Sequence, residues 1–112
     1  MPAMGLLVWV KLTAYVANCT GCSGVMANGQ TADHSLGVVA SSKAWPLGTC
    51  VQLLQDDGSW RQVVVSDRLG PRTRRRPGAD QHLDLLVSSV DEARLHGVQQ
   101  VLAMPAPCEC QP

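Results

Sequence analysis

Val63–Val87, VVVSDRLGPRTRRRPGADQHLDLLV, contains two apolar runs that each carry an aspartate. The first, Val63-Val64-Val65, ends at Ser66-Asp67 and is followed by Gly70-Pro71; the second, Leu83 to Val87, has Asp84 in its interior. Short runs of this kind, bounded by Gly and Pro, read as strands. The connection between them is polar, rich in arginine and punctuated by Gly and Pro, which suits neither helix nor strand and places it at the surface. If the two strands are neighbours, their carboxylates converge. Two close carboxylates cannot both ionise freely, so one holds its proton toward neutral pH and becomes a usable general acid. A plainer reading stands beside this one: Asp67 opens a turn by accepting local backbone N–H groups, and Asp84 faces solvent from its strand.

A chain of 112 residues fits one domain, 1–112, with a core over about 6–104 and a Cys-containing tail over 105–112. Nine basic and nine acidic residues leave no formal net charge, which argues against nucleic acid as the partner. The N-terminal MPAMGLLVWVKL has an apolar run too short to span a bilayer, so no membrane partner is expected; it also lacks the basic start and small-residue cleavage site of a signal peptide. It reads as a buried strand.

Leu6 to Val16 is β-prone and leads into the turn-rich Asn18-Cys19-Thr20-Gly21-Cys22-Ser23-Gly24. Short strands follow at Leu36–Ala40, Cys50–Leu54 and Trp60–Val65, the last two joined by Asp56-Asp57-Gly58-Ser59, whose Asp-Gly pair favours a hairpin. Ser88 to His96 is the one good helical stretch: Ser88 or Ser89 can cap it, Asp91 and Glu92 complement its N-terminus, and Gly97 stops it. A last strand, Val98 to Met104, precedes the tail. Many short strands, frequent turns and one small helix predict a mainly β fold, a compact barrel more than a sandwich or a parallel α/β fold.

Taken in order, Leu12-Thr13-Ala14-Tyr15, Cys19-Thr-Gly-Cys22-Ser-Gly24, Gly37-Val-Val-Ala40, Pro46-Leu-Gly-Thr49, Ser66-Asp67-x-x-Gly70 and Leu83-Asp84-Leu85-Leu86-Val87-x-Ser89-x-x-Glu92-Ala93-x-x-x-Gly97 resemble the 3D (three-aspartate) domain. Ala40-Ser-Ser-Lys-Ala-Trp-Pro46-Leu-Gly-Thr49 and Asp67-Arg-Leu-Gly-Pro71 are similar to rare lipoprotein A. These groups are related to membrane-bound lytic transglycosylase A, and the resemblance runs from about Leu12 to Val101. It implies a six-stranded double-psi β-barrel with an open groove for peptidoglycan glycan strands and, in catalytic members, lytic transglycosylase activity without a cofactor. By position the acid/base role falls on Asp84, with Asp67 as its electrostatic neighbour. The acid protonates the glycosidic oxygen, and its carboxylate then helps the 6-hydroxyl of the same muramic residue close a 1,6-anhydro ring, unlike hydrolysis with a second carboxylate. The alternative is a non-catalytic barrel that binds cell wall or serves as a structural module in a larger assembly, for example a phage tail. Either way the expected site of action is extracytoplasmic, at the cell wall or in a bacteriophage virion, where the particle carries a leaderless chain to the wall.

Departures from the resemblance bear on the site. Ser42 stands where the family has its first aspartate and rare lipoprotein A a histidine, so one polar anchor is weakened; His34 or His82 is a candidate replacement, and Asp80 competes with Asp84 for the acid position. Tyr15, Ser42, Trp45 and Arg74 are the candidate substrate-binding residues. Arg72, Arg74, Arg75 and Arg76 form either a solvated loop or a guanidinium cluster for the carboxylates and phosphates of the wall. Trp9 and Trp60 lie in expected strands and read as core, whereas Trp45 is the best groove aromatic, with packing beside Pro46 an equally good account.

Five cysteines complete the inventory. Cys19, Cys22, Cys108 and Cys110 could supply four thiolates to a tetrahedral zinc; the rival is a disulfide between the two ends, leaving Cys50 as a small buried hydrophobe.

Overall fold

The computed structural model of the chain describes residues 6–17 and 24–109, in which six strands close into a barrel. The strands are β1 (Val8–Tyr15), β2 (Val38–Ser41), β3 (Cys50–Leu54), β4 (Trp60–Arg68), β5 (His82–Leu86) and β6 (Gln99–Ala106). Their order around the barrel is β1-β5-β2-β4-β3-β6. The β1·β5 and β2·β4 pairs are parallel and the rest antiparallel. Two parallel pairs interleaved through β2·β5 make this a mixed barrel, with the mainly β composition read from the sequence and the six strands that the resemblance implies.

Alternation along each strand decides what is core. In β1, Val10, Leu12 and Ala14 point inward while Trp9, Lys11, Thr13 and Tyr15 point outward; in β5, Leu83 and Leu85 are inward while His82, Asp84 and Leu86 are outward. Val39, Val51, Leu53, Val63, Val65, Val87, Ala103 and Trp45 belong to the same buried core. A second, smaller apolar cluster lies outside the barrel, where the segment 24–32, turned back by the Val25↔Thr31 bridge, lays Met26 over Val38 and Leu86.

The Asp57-Gly58 turn forms as expected: Asp57 Oδ1 accepts from Ser59 N at 2.9 Å, and Gly58 adopts φ 86°. The expected helix is α2 (Val90–His96), capped by Ser89, whose side chain accepts from Glu92 N, and closed by Gly97. Gly37 is needed before β2, because its φ is +66° and a Cβ there would meet the carbonyl oxygen of Gln62 at 3.1 Å.

Five expectations are corrected. β4 and β5 are not neighbours: β2 lies between them. The β2 strand begins at Val38 because His34–Leu36 forms a 3-10 turn capped by Asp33. The arginine-rich connection is not wholly irregular, since Pro71–Arg74 forms a one-turn helix, α1, with Pro71 in its first turn where a missing N–H costs nothing. Trp9 and Trp60 are exposed, at 61% and 44%, because both fall on outward positions of their strands, and Trp45 is the buried one at 4%. Cys50 is buried but not a lone hydrophobe: it forms a disulfide with Cys108 across 58 residues.

Candidate functional site

Strand register assembles the site on the outer face of the barrel. Thr13 on β1 is paired with Asp84 on β5, Asp84 with Ala40 on β2, and Ala40 with Asp67 on β4. One row across four strands therefore reads Thr13, Asp84, Ala40, Asp67. At about 4.8 Å per strand step, the two aspartate Cα atoms lie about 10 Å apart, with the small side chain of Ala40 as the floor between them.

A β-bulge puts Asp67 in that row. Val65 pairs with Val39, yet the next pair is Asp67 with Ala40, so Ser66 is an extra residue. Without it Ser66 would stand opposite Ala40 and Asp67 would turn the other way. Asp67 is then held by three donors: Tyr15 Oη at 3.0 Å, Ala27 N at 3.0 Å and Arg68 N at 2.9 Å. It thus ties the 24–32 segment to the barrel as well as facing the site. Arg68, one residue on, points its Nη1 into the 41–45 turn and donates to Ser41 Oγ, the Ser42 carbonyl and the Trp45 carbonyl at 3.2, 2.9 and 2.7 Å.

Asp84 is the partly buried carboxyl of the row. Burial raises its pKa above the ordinary carboxylate value; the Thr13 hydroxyl, donating to Oδ1 at 2.7 Å, and the nearby His82 and His96 pull it back, and Asp67 adds a smaller upward push. The expected raised carboxylate is present, but low-dielectric surroundings cause it more than its acidic neighbour does. Tyr15 is kept neutral by burial and by both aspartates, so its hydroxyl serves as a donor to Asp67. A cleft of about 510 Å³, within the usual range for ligand sites, opens beside Tyr15 and Asp67 and is bordered by Met26, Gly70 and Pro71.

No protein-family model matches the chain, and no curated protein matches it in sequence. Among solved structures, Streptomyces papain inhibitor is similar with a TM-score of 0.62 and 22% identity, over 93% of this chain and 97% of that one. At that identity the likeness is one of fold.

The candidate residues separate into those the barrel brings together and those it does not. Asp84 and Asp67 stand in one outer row two strand steps apart, and Tyr15 bonds to Asp67. Ser42 is buried, and its hydroxyl donates to Asp80 Oδ1 at 2.7 Å, while Trp45 donates from Nε1 to the Asp80 carbonyl at 2.8 Å. Ser42, Trp45 and Asp80 therefore form a brace between the β2–β3 and α1–β5 connections. Trp45 is not a groove aromatic, because its ring fills the barrel core. Arg74 is exposed on α1. His34 sits in the exposed 3-10 turn, whereas His82 begins β5, is buried, and places Nε2 2.8 Å from Thr13 Oγ1. Cys108 shares its sulfur with Cys50 and so has no thiolate to offer the four-cysteine zinc that is one alternative; Cys19, Cys22 and Cys110 lie outside the described residues.

Thr13, Ala40 and Arg68 were not picked out as site residues from sequence. Thr13 had one available signal: it is two residues before Tyr15 and so on the same strand face. Ala40 and Arg68 had none, since their roles come from pairings with distant strands.

Proposed function

We propose that the chain is a peptidoglycan lytic transglycosylase in which Asp84 is the general acid and then the general base. One observation carries this reading: a half-buried carboxyl with a raised pKa stands in one outer row with a second aspartate, and that second aspartate lines an open cleft. With Oδ1 engaged by Thr13, Oδ2 carries the acid proton. That proton passes to the glycosidic oxygen as the bond to C1 breaks and the neighbouring sugar leaves with a free hydroxyl. The Asp84 carboxylate then takes the proton of the 6-hydroxyl as O6 bonds to C1, which regenerates the acid and closes the 1,6-anhydro ring. Asp67 and Tyr15 supply the polar wall of the groove, and Arg74 and its neighbours on the adjoining loop supply cations for stem-peptide carboxylates or wall phosphates. The Cys50–Cys108 disulfide suits an oxidising, extracytoplasmic site of action, at the wall or on a virion.

Digestion of purified sacculi tests the proposal. The intact protein releases 1,6-anhydromuropeptides detectable by mass spectrometry, and Asp84→Asn releases at least about a hundredfold less, the usual scale of a lost general acid. Products with ordinary reducing ends would make it a hydrolase and overturn the ring-closing step.

A second reading, a barrel that binds without cleaving, is favoured by Ser42 at the position of the family's first aspartate and by the three donors that hold Asp67. Undigested sacculi that retain the protein would support it. The likeness to a papain inhibitor gives this reading a second partner class, and residual papain activity in the presence of the protein measures it.

A further inference from the structure

Three side chains on β1 and β5 form one line of hydrogen bonds ending at the proposed acid. His82 Nε2 is 2.8 Å from Thr13 Oγ1, and Thr13 Oγ1 donates to Asp84 Oδ1 at 2.7 Å. A threonine hydroxyl has a single hydrogen. When Asp84 is ionised that hydrogen belongs to its oxygen, so Thr13 can only accept from His82, and His82 must carry its hydrogen on Nε2. The direction of the line is then set: histidine to threonine to carboxylate.

We infer that His82 is a positioning residue for Asp84, acting through Thr13 to hold Oδ1 as an acceptor and to stabilise the negative charge that appears there when the acid gives up its proton. The inference rests on the reading of Asp84 as the acid and extends it. Burial alone would leave a carboxyl that holds its proton too firmly, and a donor aimed at the developing charge offsets this within the same desolvated row. The arrangement works with neutral histidine: burial, Lys11 and Arg76 disfavour the imidazolium, and only Asp84 favours it. The other groups acting on Asp84 are His96 from α2 and Asp67 from β4, while Tyr15 bonds to Asp67. Among the described residues Thr13 hydrogen-bonds to both His82 and the carboxyl, and the direct charge of a protonated His82 on Asp84 falls away while the imidazole is neutral, which makes the line testable link by link.

The test is nuclear magnetic resonance of the full chain without substrate. At pH 8 the His82 ring nitrogens of the unmodified protein should show the tautomer protonated at Nε2; protonation at Nδ1 instead would overturn the inference without any variant. The carboxyl carbon of Asp84 is then titrated. Thr13→Val raises its midpoint by about one pH unit, the scale of one hydrogen bond to a charged group. Thr13→Ser leaves it in place. His82→Leu also raises it, and His82→Gln, whose amide places an N–H near the Nε2 position, restores it. The double variant Thr13→Val, His82→Leu shifts no further than Thr13→Val alone, because both remove one line. Additive shifts, or no shift with His82→Leu, would mean that the histidine does not act through Thr13. These readouts stand apart from wall cleavage: the coupling with undigested sacculi would sink the transglycosylase and keep the line, whereas cleavage without coupling would do the reverse.

Discussion

Asp84 holds a carboxyl whose charged form is disfavoured by burial, and that has a consequence for stability as well as chemistry. A group whose pKa is higher folded than unfolded contributes stability below its unfolded value, and the contribution is lost as pH rises through the folded value. For Asp84 the loss begins near pH 4 and is complete above its raised midpoint. Asp84→Asn cannot lose a proton, so its melting temperature relative to the intact protein should climb across that window and then level off. Calorimetry at half-unit steps from about pH 4 to pH 8 measures it; a constant difference would show that the carboxyl is not desolvated. The aspartates themselves were legible in the sequence, because Asp67 follows an apolar run just before turn residues and Asp84 interrupts one. Their different surroundings were not, because Asp67 collects a backbone donor from Ala27, forty residues away.

At the scale of elements, the end of β4 does the positioning. The bulge at Ser66 turns Asp67 to the outer face, and Arg68 behind it fastens the 41–45 turn through two carbonyls and a hydroxyl. Arg68→Ala leaves the Ser42 and Trp45 carbonyls without their charged donor, and an unmade hydrogen bond of that kind costs about 2 kcal/mol. Urea unfolding should show that loss of stability, with Arg68→Lys recovering part of it through a single point charge. An effect below about 0.5 kcal/mol would mean water replaces the guanidinium freely. No local pattern announces the bulge. The run Val63 to Val65 reads as a strand ending at Val65, but β4 continues to Arg68 because β2 offers it a parallel edge.

At the scale of the whole molecule, a covalent link among the described residues reinforces closure of the barrel. Cys50–Cys108 fastens the segment after β6 to the start of β3, and the amide of Gln62 accepts from Glu109 N at 2.9 Å on the same side. For a loop of 58 residues, chain entropy assigns such a link about 4 kcal/mol. Cys108→Ser should lose stability up to that amount in denaturant unfolding, and dithiothreitol should lower the midpoint of the intact protein. Equal midpoints for oxidised and reduced protein would mean that the link adds nothing to the fold.

The strands, the Asp57-Gly58 hairpin, the capped helix α2 and the two aspartates follow from sequence, because period-two alternation, turn chemistry and caps are all local. Three matters were settled only by the closed barrel: that β2 separates β4 from β5, that Trp45 is buried while Trp9 and Trp60 are not, and that Cys50 pairs with Cys108. Each depends on which distant strand lies alongside and which face of it points inward. Local patterning shows which residues alternate but not which strand or segment covers them, so only the long-range pairing could decide.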